Sequence, residues 1–590
     1  MGYPIYTASA ITGSNNLDLL IRHGMDPNGF MSYGKPFLAL LPVSLAIKVF
    51  GINSYSLILP EILLVLASSI FVARFIRLWI PKIPSILIHF IYLSTPVIFV
   101  VARSNMPDAL LLFLTSISIL LFSLWGKTGL SKYFLYLNFV FVLIIFTKLG
   151  AIYLIAPAFI IGVFLFRNKK ISGKLLYSFV LTANLLLTPM LWALLYSYLP
   201  GRVPFIGATG TGNPITLAYY SEGFGRVLGI IPNFLHSLPI MPQAMAFPLY
   251  QGAGIWKLFK TPYIQQFGWL LPIAITGIIT ILFSLRKTIQ KDKLLGFIQV
   301  VSIIWFLGVF FGIGIAGYPA CCTHPYYSVM LVIPQTFIIC NFLLTSRRLI
   351  WFLAIGSTVA FQLYLLGTFP VIETAFLKKI FFLLLIPALL MIFKKSILAR
   401  SLLIVSLLFL PLTMIYYTTS TYPLSMRSGD PIAGSFAVLN ELQSLKEAKL
   451  NESIGLSMVG VSSGRAEGVE IALSDKLKSL PQYYWGAATL REYIAATLQL
   501  TTNRPIMAFG GELGAESPIK LSEIKELIGD KKLCYFVIDS RDIYMLNKTN
   551  TLSPWSEEAY LIMEYLITNG VVIEYDNRRG PVILNLCKTS

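Results

Sequence analysis

The chain has 590 residues, of which 56% are hydrophobic and only 12% charged, with mean hydropathy +0.74. A soluble chain carries roughly 25% charged residues, so a single soluble domain, a disordered tail and a collagen-like rod are excluded, and a lipid-facing surface is implied. The net charge of +19 comes from 46 Lys and Arg against 27 Asp and Glu; its clustering in short loops between apolar runs marks membrane topology rather than a nucleic-acid partner.

In chain order, residues 1–54 read as a first outer loop with juxtamembrane helices. Apolar runs then recur, and a helix needs about 20 residues to cross the hydrocarbon core. Spans are expected near 55–78, 85–102, 109–126, 133–147, 150–167, 175–199, 263–285, 294–316, 327–345, 349–369, 377–393 and 400–418. Every second connection is basic, from Arg74, Arg77 and Lys82 through to Lys394, Lys395 and Arg400. The positive-inside rule puts these loops in the cytoplasm and the others, including the long loop 200–262, outside. The expected class is therefore a polytopic α-helical membrane protein of about twelve spans. Met1 falls outside in this scheme, so a further span is expected before it. A multi-pass location in the cytoplasmic (plasma) membrane follows.

From about 420 to 590 the charge rises and short strands alternate with amphipathic helices, which predicts an extracytoplasmic soluble α/β domain. Strands are expected at Ser453–Val461, Pro505–Phe509, Lys532–Ile538 and Val582–Cys587. Helices are expected at Ser435–Ala448, Thr489–Leu500, Leu521–Ile528 and Ser556–Asn569. Gly510-Gly511 after a strand could cradle a phosphate, but two glycines read first as a turn. Of five cysteines, none forms a CxxC pair. Cys534 and Cys587 could pair in an oxidising compartment.

Polar residues are costly at membrane depth, so those at span ends mark chemistry. The outer loops carry Asp26 and Lys35, then Arg103, Asn105 and Asp108, then Glu222 and Arg226, then His324, Tyr326 and Tyr327. Each has a plainer reading beside the functional one. Asp108 would complement the dipole of the helix it opens, Asp26 would form a turn before Pro27 and Gly29, and Lys35 and Arg226 would snorkel. Tyr326-Tyr327 reads first as an aromatic belt; singly these signals are weak, and the gathering of acid, imidazole and cations on one membrane face is the stronger evidence for a site.

At these residues the chain resembles glycosyltransferase superfamily C, in particular family-39-like enzymes related to protein O-mannosyltransferases and the bacterial lipid A aminoarabinose transferase. The resemblance rests on ordered pieces: Tyr6-Thr7-Ala8-Ser9-Ala10 with Asp26 and Lys35-Pro36; Phe50-Gly51-Ile52-Asn53-Ser54-Tyr55-Ser56; Arg103-Ser104-Asn105-Met106-Pro107-Asp108; Thr147-Lys148; Pro204 to Arg226; and His324-Pro325-Tyr326-Tyr327. Tyr493-Ile494-Ala495-Ala496-Thr497 and Pro505 to Gly511 look like the outer domain of the bacterial branch. Two positions depart from the pattern. No acid stands near Gly2-Tyr3, and Gly34 replaces the acid before Lys35-Pro36.

The resemblance implies transfer of a sugar from a polyprenyl-phosphate donor to a hydroxyl of a glycan, lipid or protein acceptor on the outer face. A phosphate leaving group needs charge neutralisation, which Lys35, Arg103, Arg226 or His324 could supply, with Asn105, Tyr326 and Tyr327 as further substrate contacts. The acceptor hydroxyl needs a base, for which Asp26 and Asp108 stand out; direct displacement would invert the anomeric carbon. The same two carboxylates would hold a divalent cation if one takes part, and no other cofactor is implied. The alternatives are a non-catalytic protein that binds or assembles lipid-linked sugars, and a transporter.

Overall fold

A computed structural model describes residues 4–22, 24–32, 34–166, 171–198, 203–207, 209, 212–221, 254–259, 263–315, 325–344, 348–367, 377–383, 397–421, 473–511, 514, 516, 518–538, 557–575 and 582–587. Arg226 and His324 lie outside them, as do the strand expected over Ser453–Val461 and the helix over Ser435–Ala448.

The chain opens with α1 (Pro4–Asn15) and α2 (Leu17–Ile21), the short strand β1 (Met31–Ser32) and α3 (Leu41–Phe50). α4 (Ser54–Trp79) then runs 26 residues. It starts where it does because Asn53 and Ser56 form a reciprocal cap: Asn53 Oδ1 accepts from the Ser56 N–H at 2.9 Å, and Ser56 Oγ accepts from the Asn53 N–H at 3.1 Å. The expected span 85–102 is two helices, α5 (Ser85–Leu93) and α6 (Pro96–Val101). Pro96 cannot donate to the preceding turn, so the helix restarts there. α7 (Asp108–Thr128) ends at Gly129, whose φ of +71° suits the left-handed cap.

α4 and α7 run parallel. Glu61 meets the start of α7, Ser68 Oγ donates to Leu112 O at 3.3 Å, and Lys127 Nζ donates to Leu78 O at 2.7 Å. α5 packs beside them, with Tyr92 Oη 2.7 Å from Ser68 Oγ. α8 (Ser131–Ile145), α9 (Ala151–Phe166) and α10 (Ile171–Ser197) follow. Fully buried Phe122, Phe141, Phe159 and Trp305 fill the space between α7, α8, α9 and the helix Lys293–Ile315.

Among the described residues six helices are long and apolar enough to cross a membrane: Ser54–Trp79, Asp108–Thr128, Ile171–Ser197, Tyr263–Lys291, Lys293–Gly314 and Leu349–Gly367; five shorter apolar helices accompany them. Several expected spans fold as shorter pieces, which the roughly 20-residue requirement separates from the long ones.

The two-residue strand β2 (Phe205–Ile206) pairs with β1, and the C-terminal residues form a five-stranded sheet ordered, from edge to edge, Ile506–Ala508, Ala487–Thr489, Tyr535–Ile538, Val582–Asn585 and Val571–Tyr575. Its strands are β3 (Ala487–Thr489), β4 (Ile506–Ala508), β5 (Tyr535–Ile538), β6 (Val571–Tyr575) and β7 (Val582–Asn585). β4, β3 and β5 are parallel, while β7 and β6 are antiparallel to their neighbours. The helices Glu492–Thr502 and Leu521–Gly529 supply the crossovers a parallel sheet requires. Cys534 and Cys587 are disulfide-bonded, with Cα atoms 5.1 Å apart, and tie β5 to the end of β7. Gly510 and Gly511 form a turn after β4. Their N–H groups donate to Leu490 O and Ala508 O, so neither is left for a phosphate.

Candidate active site

The α6–α7 connection and the start of α7 hold the candidate residues Arg103, Asn105 and Asp108. Pro107 fixes the approach to α7 and puts Asp108 in its first turn. Two residues earlier Asn105 adopts φ +51°, a left-handed conformation that asparagine tolerates better than most residues. Three contacts hold it there. Glu61, inside α4, accepts the N–H groups of Asn105 at 2.6 Å and Met106 at 2.5 Å. From α1, Thr7 Oγ1 accepts from Asn105 Nδ2 at 3.0 Å. Glu61 is 3% exposed, so the two N–H donors satisfy a carboxyl group that water does not reach.

Asp108 is fully buried and faces Lys148, which follows α8. Lys148 Nζ donates to the two carboxylate oxygens at 2.9 and 3.1 Å. The same ammonium lies 4.2 Å from the Tyr327 ring centroid and 5.1 Å from that of Tyr326. A buried cation needs such compensation, because the cost of removing it from water exceeds what one carboxylate returns. Glu61, Asn105–Asp108, Lys148 and Tyr326–Tyr327 thus come together from four distant parts of the chain.

The first loop forms a second polar centre. Asp26 opens the turn Asp26-Pro27-Asn28-Gly29, and its carboxylate accepts the N–H groups of Asn28 at 3.0 Å, Phe30 at 3.0 and 3.1 Å, and Met31 at 2.9 Å. This is an Asx turn closed by a glycine at φ +65°. Burial pushes the Asp26 carboxyl up to about 6, against the three N–H donors, which favour the charged form. Behind the loop, β1 pairs in parallel with Phe205–Ile206. Thr12 of α1 donates to Met25 O at 2.9 Å. Thr7 and Thr12 are separated by about 7.5 Å of helix, so α1 fastens both polar centres at one end of the bundle. Lys35 is half-buried just beyond β1. Arg103 is also half-buried, its guanidinium 5.1 Å from the Phe99 ring centroid.

The C-terminal residues close over this loop. Gln499 Nε2 donates to Met25 O at 2.9 Å, and Trp485 packs edge-on to Phe30 at 5.8 Å between ring centroids. Glu516 accepts the Thr209 N–H at 3.1 Å. Among the described residues no group of three or more His, Cys, Asp or Glu is placed to hold a metal ion.

The raised Asp26 value has a consequence for stability. Its folded value lies above the ordinary 3.8, so the folded chain keeps a proton that the unfolded chain has released. The stabilisation is full below about pH 4 and is lost as pH rises through 6, amounting to about 3 kcal/mol. Asp26→Asn is expected to flatten this slope in thermal melts of the detergent-solubilised chain. A variant that keeps the wild-type pH dependence would assign the slope to another group.

The chain is similar to several known proteins. A family described as dolichyl-phosphate-mannose-protein mannosyltransferase matches residues 34–192, and one described as putative mannosyltransferase YkcB-like, C-terminal, matches residues 477–559. The putative mannosyltransferase YkcB of Bacillus subtilis is 26% identical over 227 residues, spanning 38% of this chain and 32% of that protein. The putative mannosyltransferase YycA of the same organism is 22% identical over 91% of this chain and 88% of its own length. The crystal structure of ArnT from Cupriavidus metallidurans bound to undecaprenyl phosphate superposes with a TM-score of 0.53 at 11% identity, covering 100% of this chain and 94% of that one. The chain is thus similar to mannosyltransferases in two separate stretches and shares the ArnT fold along its length. It is a multi-pass membrane protein.

The mannosyltransferase match over residues 34–192 contains Lys35, Glu61, Asn105, Asp108 and Lys148. The structure joins Asp108, Tyr326 and Tyr327 through Lys148, and holds Asn105 through Glu61. Asp26, Lys35 and Arg103 have no direct contact with that group in the interactions described above. Sequence reasoning passed over Glu61, although a lone carboxylate within an apolar span was signal enough. It used Thr147-Lys148 only to establish the resemblance and gave Lys148 no role.

Proposed function

We propose that the chain moves a sugar from a polyprenyl-phosphate carrier to an acceptor hydroxyl, with inversion, at the membrane face bearing the Asp108 and Asp26 centres. The observation that carries this reading is the buried Asp108–Lys148 pair roofed by Tyr326 and Tyr327, set in a fold shared with a protein crystallised on undecaprenyl phosphate.

Asp108 is the base. Its oxygens each accept one bond from Lys148, leaving lone pairs for an acceptor proton, whereas the Asp26 carboxylate is engaged by backbone on both oxygens. Asp26 acts by holding the first loop in place. Lys35 and Arg103 neutralise the departing phosphate, joined by Arg226 and His324 from the outer loops. Asn105, Tyr326 and Tyr327 shape the donor site. The working arrangement is a first outer loop over 1–54, a membrane domain of about twelve spans over 55–419 and an extracytoplasmic domain over 420–590. The Cys534–Cys587 disulfide supports that placement, because such bonds persist in oxidising compartments.

The direct test is the full chain in vesicles supplied with undecaprenyl-phosphate mannose, the sugar in its relatives' names, and cell-envelope material as acceptor. Release of undecaprenyl phosphate coupled to labelling of the acceptor is expected. Binding without release would indicate a non-catalytic relative, and movement of intact donor across the vesicle would indicate a transporter; either overturns the proposal. Lys35→Met is expected to raise the donor KM about tenfold or more, the loss of one charge-assisted bond, with a smaller effect on kcat. An unchanged KM would remove Lys35 from the donor site.

A further inference from the structure

At the end of α4 away from Glu61, about 24 Å along the helix at Arg77, lies a cavity of about 440 Å³ between α4 and α5. Its polar lining is Arg74, Arg77, Ser85 and His89, and Ile70 and Ala73 form its apolar wall. Both arginines are exposed, and among the described residues neither has a carboxylate partner. Lys127 adds a further cation at the same end, its ammonium 4.7 Å from the Trp79 ring centroid.

His89 is held on both sides. Its Nδ1 is 3.1 Å from Ser69 Oγ and its Nε2 3.3 Å from Ser85 Oγ. Ser69 donates its one proton to Leu66 O at 2.7 Å, so it can only accept from His89. That sets the tautomer: Nδ1 carries the hydrogen, and Nε2 accepts from Ser85. The imidazole is thus oriented toward the cavity before any ligand arrives.

The apolar surface continues from the cavity along the bilayer direction. Leu63, Leu66, Ile70, Arg74 and Arg77 are spaced by three, four, four and three residues, which sets them in one stripe on α4. Leu63, Leu66 and Ile70 are exposed, as are Ile86 and Phe90 on α5. The stripe from Leu66 to Arg74 spans about 12 Å, a length suited to much of an acyl chain in one leaflet.

We propose that this cavity binds the phosphate headgroup of an anionic phospholipid, clamped by Arg74 and Arg77 beside Ser85, with an acyl chain along Leu63, Leu66 and Ile70. A basic notch between spans at the polar boundary recognises anionic headgroups by charge, and the apolar stripe favours a lipid over a free ion. The site is separate from the transfer chemistry and does not depend on it.

The test is native mass spectrometry of the full chain in mild detergent, titrated with phosphatidylglycerol or phosphatidylcholine. One phosphatidylglycerol is expected to be retained and phosphatidylcholine not. The exposed pair Arg74→Gln/Arg77→Gln is expected to weaken retention about thirtyfold. Ser85→Ala, which leaves the charge intact, should weaken it about threefold. Lys48→Gln at the other membrane face should change nothing. Equal retention by the double variant, or equal retention of the two lipids, overturns the proposal. Displacement of the lipid by millimolar inorganic phosphate would mark an ion site instead and overturn the lipid assignment.

Discussion

Asp108→Asn in the full chain is expected to lower sugar transfer by about 10²–10⁴-fold, the usual loss when a positioned base is removed, while the protein still folds. The amide keeps the shape and one oxygen for Lys148, so the contact at 2.9 Å can persist. Harsher variants separate catalysis from packing. Lys148→Ala leaves a fully buried carboxylate without its cation, and breaking a buried pair from one side costs about 3–5 kcal/mol. Asp108→Leu/Lys148→Met removes both charges at similar volume. It should recover most of that stability and none of the activity. A double variant that transfers sugar would show that Asp108 only packs, and near-normal turnover by Asp108→Asn would remove it from the mechanism.

Loss of the Cys534–Cys587 bond carries the second large effect. The bridge closes 53 residues of sequence separation, and the chain-entropy relation puts its contribution at about 4 kcal/mol. Cys534 opens β5 and Cys587 follows β7, so the bond staples the parallel half of the sheet to its antiparallel half. Reduction, or Cys534→Ala/Cys587→Ala, is expected to speed hydrogen exchange of the β5 and β7 amides by up to about a thousandfold in the full chain. The membrane helices should exchange as before. Unchanged exchange at Tyr535–Ile538 would mean the sheet holds without its staple.

The membrane helices were legible because lipid imposes a single rule: α4 covers Ser54–Trp79 where 55–78 was expected, and α7 covers Asp108–Thr128 where 109–126 was expected. The tail was legible wherever an apolar run was bounded by turns, as at Ile506–Ala508, Tyr535–Ile538 and Val582–Asn585. β3 was not. Ala487-Ala488-Thr489 is short and made of small residues, and it becomes a strand because β4 and β5 flank it on both sides. β6, a run of Val571, Val572 and Ile573, carried a strand signal that the end of the preceding helix masked.

Ordered short motifs carried the family resemblance, while composition and charge by themselves determined that this chain spans a membrane and where its polar residues cluster. Those properties follow from local rules of solvation, read within a window of about 20 residues. Only the tertiary structure decided that Lys148, rather than Arg103 or Lys35, pairs with Asp108, and that Glu61 holds the Asn105 turn from inside a helix. These partners are separated by 40 and 44 residues. A buried charge must find its counterpart wherever packing brings one near, and no periodicity in the sequence records that choice.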